Sequence, residues 1–275
     1  MRAQYSRVIK KCQAALIPFL KSRQVMGVTE STLGFYRFKL GRFLLEVDPD
    51  TATRQGIEQF LVQFDNPGNR HTYYRAIKTF YNWRKEVYDT PSPMKYIRAP
   101  ILPRLILPSL SRRDVERLIS MADGNRNKAI IALFSESGLR LTELLNIKAQ
   151  DIDWDNHTIT VLGKGQKEAL ASFSKLTEKY LSLWLSQYSP DNGSNIWGLN
   201  KWGIISMLKR LSDESGLPCN PHTFRRTFAC ILRLAGLDIL TIKDLGRWES
   251  VEMVQRYTRS ITFQDCMRLY EGVLM

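Results

Sequence analysis

Five prolines fall between Thr90 and Pro108, at positions 91, 93, 100, 103 and 108, and helical periodicity stops across the same stretch. A proline ring fixes φ and pushes the preceding residue toward extended backbone, so repeated prolines read as an extended linker rather than a helix. This divides the 275 residues into a front unit, 1–103, a linker at 104–110, and a second unit, 111–275. Either unit is long enough to bury a core of its own.

The two halves carry different charge. Residues 1–107 hold 18 Lys and Arg against 8 Asp and Glu, whereas 108–275 hold 22 against 19. So much positive charge in a small segment suggests a polyanion, because each phosphate it neutralises releases condensed counterions. A hydrophobic fraction of 44% and a charged fraction of 24% are those of a globular chain. No run approaches the roughly 18 apolar residues of a membrane span. The first twenty residues also lack the uninterrupted apolar core of a leader peptide. A cytoplasmic, DNA-associated protein is expected, in the host cell cytoplasm if a phage or virus encodes it.

Cys12, Cys219, Cys230 and Cys266 have no CxxC spacing and read as buried thiols of a reducing compartment. Histidines 71, 157 and 222 are too dispersed to form a metal cluster. No cofactor and no metal are expected.

The front unit reads as helices. From Ser31 to Val47, residues Leu33, Tyr36, Leu40, Phe43, Leu44 and Val47 recur at helical spacing, with Thr29 as N-cap and Arg37, Lys39 and Arg42 facing outward. A second helix is predicted over 53–64. After the turn Asn66-Pro67-Gly68-Asn69, a third over 70–87 interleaves core aromatics with Arg70, Arg75, Lys78, Arg84 and Lys85. These eight basic residues are the candidate DNA contacts; helical Lys and Arg meet phosphates more readily than bases.

In the second unit, Ser111 and Asp114 form a capping box for a helix over 112–121. Apolar helices follow at 127–137 and 141–147. Between 151 and 173 the pattern alternates around Asp155-Asn156 and Gly163-Lys164-Gly165, which predicts a small antiparallel β element. Helices are predicted at 175–187, 201–214, 222–235, 239–245, 249–256 and 261–271. The fold class is mostly α with a small antiparallel β-sheet.

Within that unit stand Arg140 after a helix break, Lys164 between two glycines at a turn, His222 and Arg225 one helical turn apart, Trp248, and Tyr257. Cations converging on one phosphate would offset the charge of a pentacoordinate transition state, and a tyrosine could attack that phosphate. Taken singly, each has an ordinary structural role open to it. Arg140 could pair with Glu143, Lys164 could be a solvated turn residue, His222 a cap and Tyr257 a core aromatic.

Taken together and in order, the blocks GLRLTELLNIKAQDI (138–152), GKG (163–165), HTFRRTFA (222–229) and LGRWESVEMVQRY (245–257) resemble the signature blocks of the tyrosine recombinase (phage integrase) family. The likeness covers 109–257; the helical, basic front unit resembles the family's SAM-like core-binding domain more loosely. The resemblance implies a C-shaped clamp in which a core-binding domain and a catalytic domain close on duplex DNA. It implies Tyr257 as nucleophile forming a 3′-phosphotyrosyl bond, and Arg140 and Arg225 clamping the scissile phosphate. Lys164 would help protonate the leaving 5′-hydroxyl, His222 would assist proton transfer, Trp248 would pack and donate from its indole, and Glu143 would support the arginine region. Ala169-Leu170-Ala171-Ser172 departs from the usual residues after the hairpin lysine, which makes Lys167 a rival to Lys164. Thr258-Arg259 replaces the common Ala-His.

The expected partners are double-stranded DNA at specific sites and a homo-tetramer on that DNA, from a chain monomeric when free. Segment 261–275 is expected to dock on a neighbouring protomer, and an accessory DNA-bending protein is a further candidate. The expected activity is site-specific recombination that integrates or excises a phage or other mobile element. The alternatives are Xer-like resolution of chromosome or plasmid dimers, topoisomerase-like nicking, and, in another class, DNA binding without catalysis.

Overall fold

The computed structural model describes residues 2–103, 105–163, 167–191 and 193–274. The chain separates into two compact units, Met1–Leu105 and Ile106–Met275.

The first unit contains α1 (Arg2–Val25), α2 (Glu30–Glu46), α3 (Arg54–Val62) and α4 (Pro67–Tyr88). Its helix starts are locally encoded. The Thr29, Thr53 and Asn66 side chains each accept a hydrogen bond from a first-turn N–H, and Pro67 occupies the position where its missing donor is harmless. Phe19, Leu40, Phe43, Ile57, Phe60, Tyr73, Ile77 and Phe80 are buried together. Helix α1 lies outside the sequence prediction, which locates no helix before Ser31. Pro18 sits in its interior, and its buried stripe is the short set Cys12, Leu16 and Phe19. The first of the linker prolines also belong to this unit. Pro93–Tyr96 forms a 3₁₀ turn, Met94 and Ile97 are buried, and the Tyr74 hydroxyl donates to the Ile97 carbonyl at 3.1 Å.

The second unit opens with α5 (Arg112–Met121), started by the Ser111–Asp114 capping box. Helices α6 (Gly124–Ser137) and α7 (Leu141–Leu145) follow. An antiparallel sheet comes next, with β1 (Ile152–Asp153), β2 (Thr158–Leu162) and β3 (Glu168–Ser172) in that order. Ile159 pairs with Ile152 on one side and Ala171 on the other, and Val161 pairs with Ala169. Ile159, Val161 and Ala171 are buried while Leu162 and Leu170 are exposed, so a period of two sets which face meets the core. The chain ends with α8 (Lys175–Gln187), α9 (Lys201–Ser215), α10 (Pro221–Leu234), α11 (Ile239–Leu245), α12 (Val251–Tyr257) and α13 (Phe263–Leu274).

Helix α6 is the centre of this unit. Residues from Ala129 to Phe134 are all fully buried, which explains an apolar run with little amphipathic contrast. It packs against α8 and α10, and Phe134 stacks on Phe224 at 5.7 Å. A smaller cluster of Phe228, Ala229, Ile242, Trp248 and Val254, with Tyr257 against it, joins α10, α11 and α12. Cys12, Cys219 and Cys230 are buried as expected, but Cys266 is exposed, because α13 lays this position on the surface. No described helix is long and apolar enough to cross a membrane.

Candidate active site

The site is built on the end of α6. Helices leave their last carbonyls without partners, and Gly138, in the left-handed region at φ 58°, turns the chain there. A Cβ at this position would come within 2.6 Å of the Phe228 ring, so the close approach of α10 requires glycine. Two guanidiniums take the exposed carbonyls. Arg247 donates to the Ser137 oxygen at 2.9 Å, and Arg225 donates to the Gly138 oxygen. Positive groups at a helix C-terminus are also favoured by its dipole.

Past this turn, Arg140 is the N-cap of α7. Its backbone N–H donates to Glu143 Oε2 at 2.9 Å and its guanidinium to Oε1 at 2.5 Å. The Glu143 side chain is only 2% exposed, whereas that of Arg140 is 35% exposed, so the arginine has a face open to a ligand. Burial alone would raise the Glu143 pKa. Hydrogen bonds from Arg140 and the charges of Arg247 and Arg140 outweigh it and hold the carboxyl below its ordinary value.

Arg225 sits within a buried stretch of α10, Thr223 to Cys230. Besides Gly138 it donates to the Gly246 carbonyl at 2.7 Å, joining the ends of α6 and α11. Burial, then the charge of Arg140, brings its pKa down to about 10, which leaves it charged at neutral pH. Its guanidinium carbon lies 4.6 Å from the centre of the Trp248 ring, and the Tyr257 ring centre is 5.4 Å from the same indole. Trp248 is 3% exposed, and its Nε1 is buried with no hydrogen-bond partner among the described residues. Gly246 permits this arrangement, since a Cβ there would fall 1.8 Å from the indole. Tyr257 is half-buried at the end of α12, its carbonyl accepting from the Cys230 thiol at 3.5 Å. His222, exposed in the first turn of α10, has its pKa lowered by partial desolvation and by the charges of Arg226 and Arg225.

Arg140, Glu143, Arg225, Trp248 and Tyr257 are thus brought together, and His222 lies one helical turn before Arg225 on α10. Lys164 lies outside the described residues. Lys167 is exposed, and its carbonyl closes the hairpin by accepting from Gly163 at 2.8 Å. Two charged residues escaped the sequence reading. Arg247, in the left-handed region at φ 54°, has a largely covered side chain, 9% exposed, beside Glu143. Arg226 is 8% exposed and donates to the Pro108 carbonyl and the Thr223 hydroxyl at 3.0 Å each. Their only signal was adjacency, in Arg225-Arg226 and Arg247-Trp248, and two neighbours in a chain do not reveal which is buried.

Of the basic residues in the first unit, several are engaged internally. Lys39 donates to Asn69 at 2.6 Å and lies 4.0 Å from the Tyr73 ring centre. Arg70 donates to the Phe64 carbonyl at 3.0 Å, and Arg84 pairs with Asp50 at 2.6 Å. Arg37 and Arg42 form looser pairs with Glu30 and Glu46 at 3.5 and 3.6 Å. Arg75, Lys78 and Lys85 are exposed on α4 with no acidic partner among the described residues. Their spacing of three and seven places them along one helical stripe.

The model of the phage integrase family matches residues 108–262. A tyrosine recombinase XerD of Listeria innocua is 26% identical over 265 residues, covering 84% of this chain and 89% of that one. A tyrosine recombinase XerC of Myxococcus xanthus is 29% identical over 228 residues, covering 75% and 76%. Among solved structures, a lambda integrase dimer bound to a COC′ core site has a TM-score of 0.75 at 15% identity, covering 90% of this chain and 76% of that chain. At that identity the likeness is one of fold.

Proposed function

Because the chain belongs to the phage integrase family of tyrosine recombinases, enzymes of DNA strand transfer, we propose that Tyr257 is its nucleophile and that Arg140 and Arg225 grip the scissile phosphate. The phenolic oxygen of Tyr257 gives up its proton and attacks phosphorus, the bond to the 5′ oxygen breaks, and that oxygen takes up a proton as it leaves. A 3′-phosphotyrosyl ester remains, and attack by another strand's 5′-hydroxyl reverses the step. The ester retains the energy of the phosphodiester, so rejoining requires no nucleotide. His222 assists proton movement, and Lys164, by the family resemblance, protonates the leaving oxygen.

The observation that carries this reading is the packing of Arg225 and Tyr257 against one indole, Arg225 over its face at 4.6 Å and the Tyr257 ring tilted at 5.4 Å. It puts a buried, charged arginine close to the phenol that would attack. The unpartnered Trp248 Nε1 supports the same assignment. A buried donor without a partner costs about 1–3 kcal/mol, and a phosphate oxygen would satisfy it.

On DNA we assign residues 1–103 as the core-binding domain and residues 111–275 as the catalytic domain. Arg75, Lys78 and Lys85 are the leading phosphate contacts. The chain acts in the host cytoplasm as a synaptic homo-tetramer, with 261–275 docking on a neighbouring protomer. The exposed Phe263, Met267 and Tyr270 of α13 support that docking. Integration or excision of a mobile element is the biological reading, supported by the Gly246-Arg247-Trp248 block. A second reading, Xer-like resolution of dimers, is favoured by the likeness to curated Xer-type tyrosine recombinases over most of both chains.

The test uses nicked suicide duplexes made from DNA on either side of the coding sequence. Denaturing gels and peptide mass spectrometry should find DNA linked to a peptide containing Tyr257. Tyr257→Phe should lose the adduct and keep binding in a gel-shift assay; loss of both together would overturn the assignment. Cleavage at the two boundaries of an element supports integration, and cleavage at one site of a replicon supports resolution.

A further inference from the structure

Arg247 belongs to no role assigned above, yet it is the most connected side chain of the site. It is 9% exposed and holds a left-handed backbone conformation that costs a non-glycine residue about 1 kcal/mol. Its guanidinium donates to three carbonyls on three elements: Ser137 at the end of α6 at 2.9 Å, Leu245 at the end of α11 at 3.0 Å, and Leu170 in β3 at 3.3 Å. It also stands 3.7 Å from Glu143 Oε2, the carboxylate whose other oxygen holds Arg140.

From this geometry we infer that Arg247 is a positioning residue for the strand-transfer reaction, sharing the Glu143 carboxylate with Arg140 and tethering the β2–β3 hairpin to the phosphate-binding arginines. The inference rests on the family reading given above.

Two physical consequences follow. The first concerns charge. Glu143 is a single buried carboxylate, and paired with Arg140 alone it would cancel that arginine's field at the phosphate. With Arg247 beside it the carboxylate is shared, so less of the Arg140 field is cancelled, and the formal charge of the cluster of Arg140, Arg225, Arg247 and Glu143 rises from +1 to +2 at the phosphate. The groups facing Glu143 are Arg140 from its own helix start, Arg247 from the α11–α12 connection, and Arg225 from α10. All are cationic, and together they keep the carboxyl ionised. The second consequence concerns shape. Leu170 pairs with Thr160, so a tether at Leu170 fixes the β2–β3 ladder relative to the ends of α6 and α11. A planar fork with five donors can bridge several acceptors at once; a lysine ammonium cannot reproduce that spread.

The test compares wild type, Arg247→Met and Arg247→Lys, with thermal melting to confirm folding. The carboxyl carbon of Glu143, identified by its loss in Glu143→Gln, is titrated by carbon NMR in the free protein. Single-turnover cleavage of the nicked duplexes is then followed against pH. In Arg247→Met the Glu143 midpoint should rise by about one pH unit, a tenfold change in proton affinity. The acid limb of the cleavage profile should move up with it, and the plateau should fall by about a hundredfold through misplaced groups. Arg247→Lys should restore the midpoint and the acid limb, since it restores the charge, while leaving the plateau low. It also serves if the methionine variant fails to fold, because a Lys plateau equal to wild type would refute the tether. An unmoved Glu143 midpoint in Arg247→Met, or a rate loss equal at every pH, would overturn the inference. Absence of any wild-type adduct would count against the functional reading instead, and the NMR titration in DNA-free protein would still decide whether Arg247 acts on Glu143.

Discussion

The guanidinium of Arg225 rests 4.6 Å from the centre of the Trp248 indole while donating to the Gly138 and Gly246 carbonyls. One buried cation is therefore held by two helix ends and an aromatic face. The indole is at once a packing element and, through Nε1, a spare donor.

These two roles separate in Trp248→Phe. The phenyl ring keeps most of the apolar fill and removes a donor that has no partner among the described residues, so the unfolding free energy from urea titration should fall by no more than about 1–2 kcal/mol. Loss of the donor to a phosphate oxygen should slow single-turnover cleavage by about a hundredfold. Equal losses in stability and in rate would show that packing is the only contribution.

Gly138→Ala and Gly246→Ala test the close approaches that make the site. At Gly138 the backbone is left-handed and the added methyl meets Phe228 at 2.6 Å. A destabilisation of about 2–4 kcal/mol is expected from conformation and overpacking together. At Gly246 the conformation is ordinary, φ −84°, and the conflict is with the Trp248 ring, at 1.8 Å. There the cost should be about 1–3 kcal/mol, with a changed near-ultraviolet circular dichroism spectrum as the indole moves. A Gly246→Ala variant with wild-type stability and spectrum would contradict this packing.

His222 should titrate below the usual histidine range of about 6.5, which ring NMR in the free protein measures directly. The sign of the linked effect follows from that direction. A histidine whose folded pKa is depressed stabilises the fold above its unfolded pKa, and that contribution is lost as pH falls through the folded value. Stability measured by urea between about pH 7 and pH 5 should therefore decline more steeply in wild type than in His222→Gln. Parallel curves would remove His222 from the balance.

On the first unit, replacing Arg75, Lys78 and Lys85 with alanine should weaken duplex binding and flatten its salt dependence. Each lost phosphate contact should reduce the slope of log K against log salt by about 0.9, and the triple variant by about 2–3. Arg84→Ala should instead lower stability, because its side chain is only 13% exposed and pairs with Asp50. Fluorescence anisotropy over a salt series and thermal melting distinguish the two outcomes.

Much of this protein is written locally. The Thr29 cap, the Ser111–Asp114 box and the alternation at 158–162 each lie within a few residues of what they specify, and the elements at 30–46, 112–121 and 158–162 are legible for that reason. The spacing of Arg140, His222, Arg225, Trp248 and Tyr257 is likewise a property of the sequence. Helix α1 was not legible, because Pro18 interrupts a short buried stripe whose partners in α2 and α4 are distant in the chain. Tertiary structure alone decided which arginines are buried. Arg225 and Arg247 stay charged inside the protein only because helix ends, a carboxylate and an indole from four separate elements meet there. A buried charge is tolerable where such partners converge, and that convergence is a property of the folded chain rather than of any local segment.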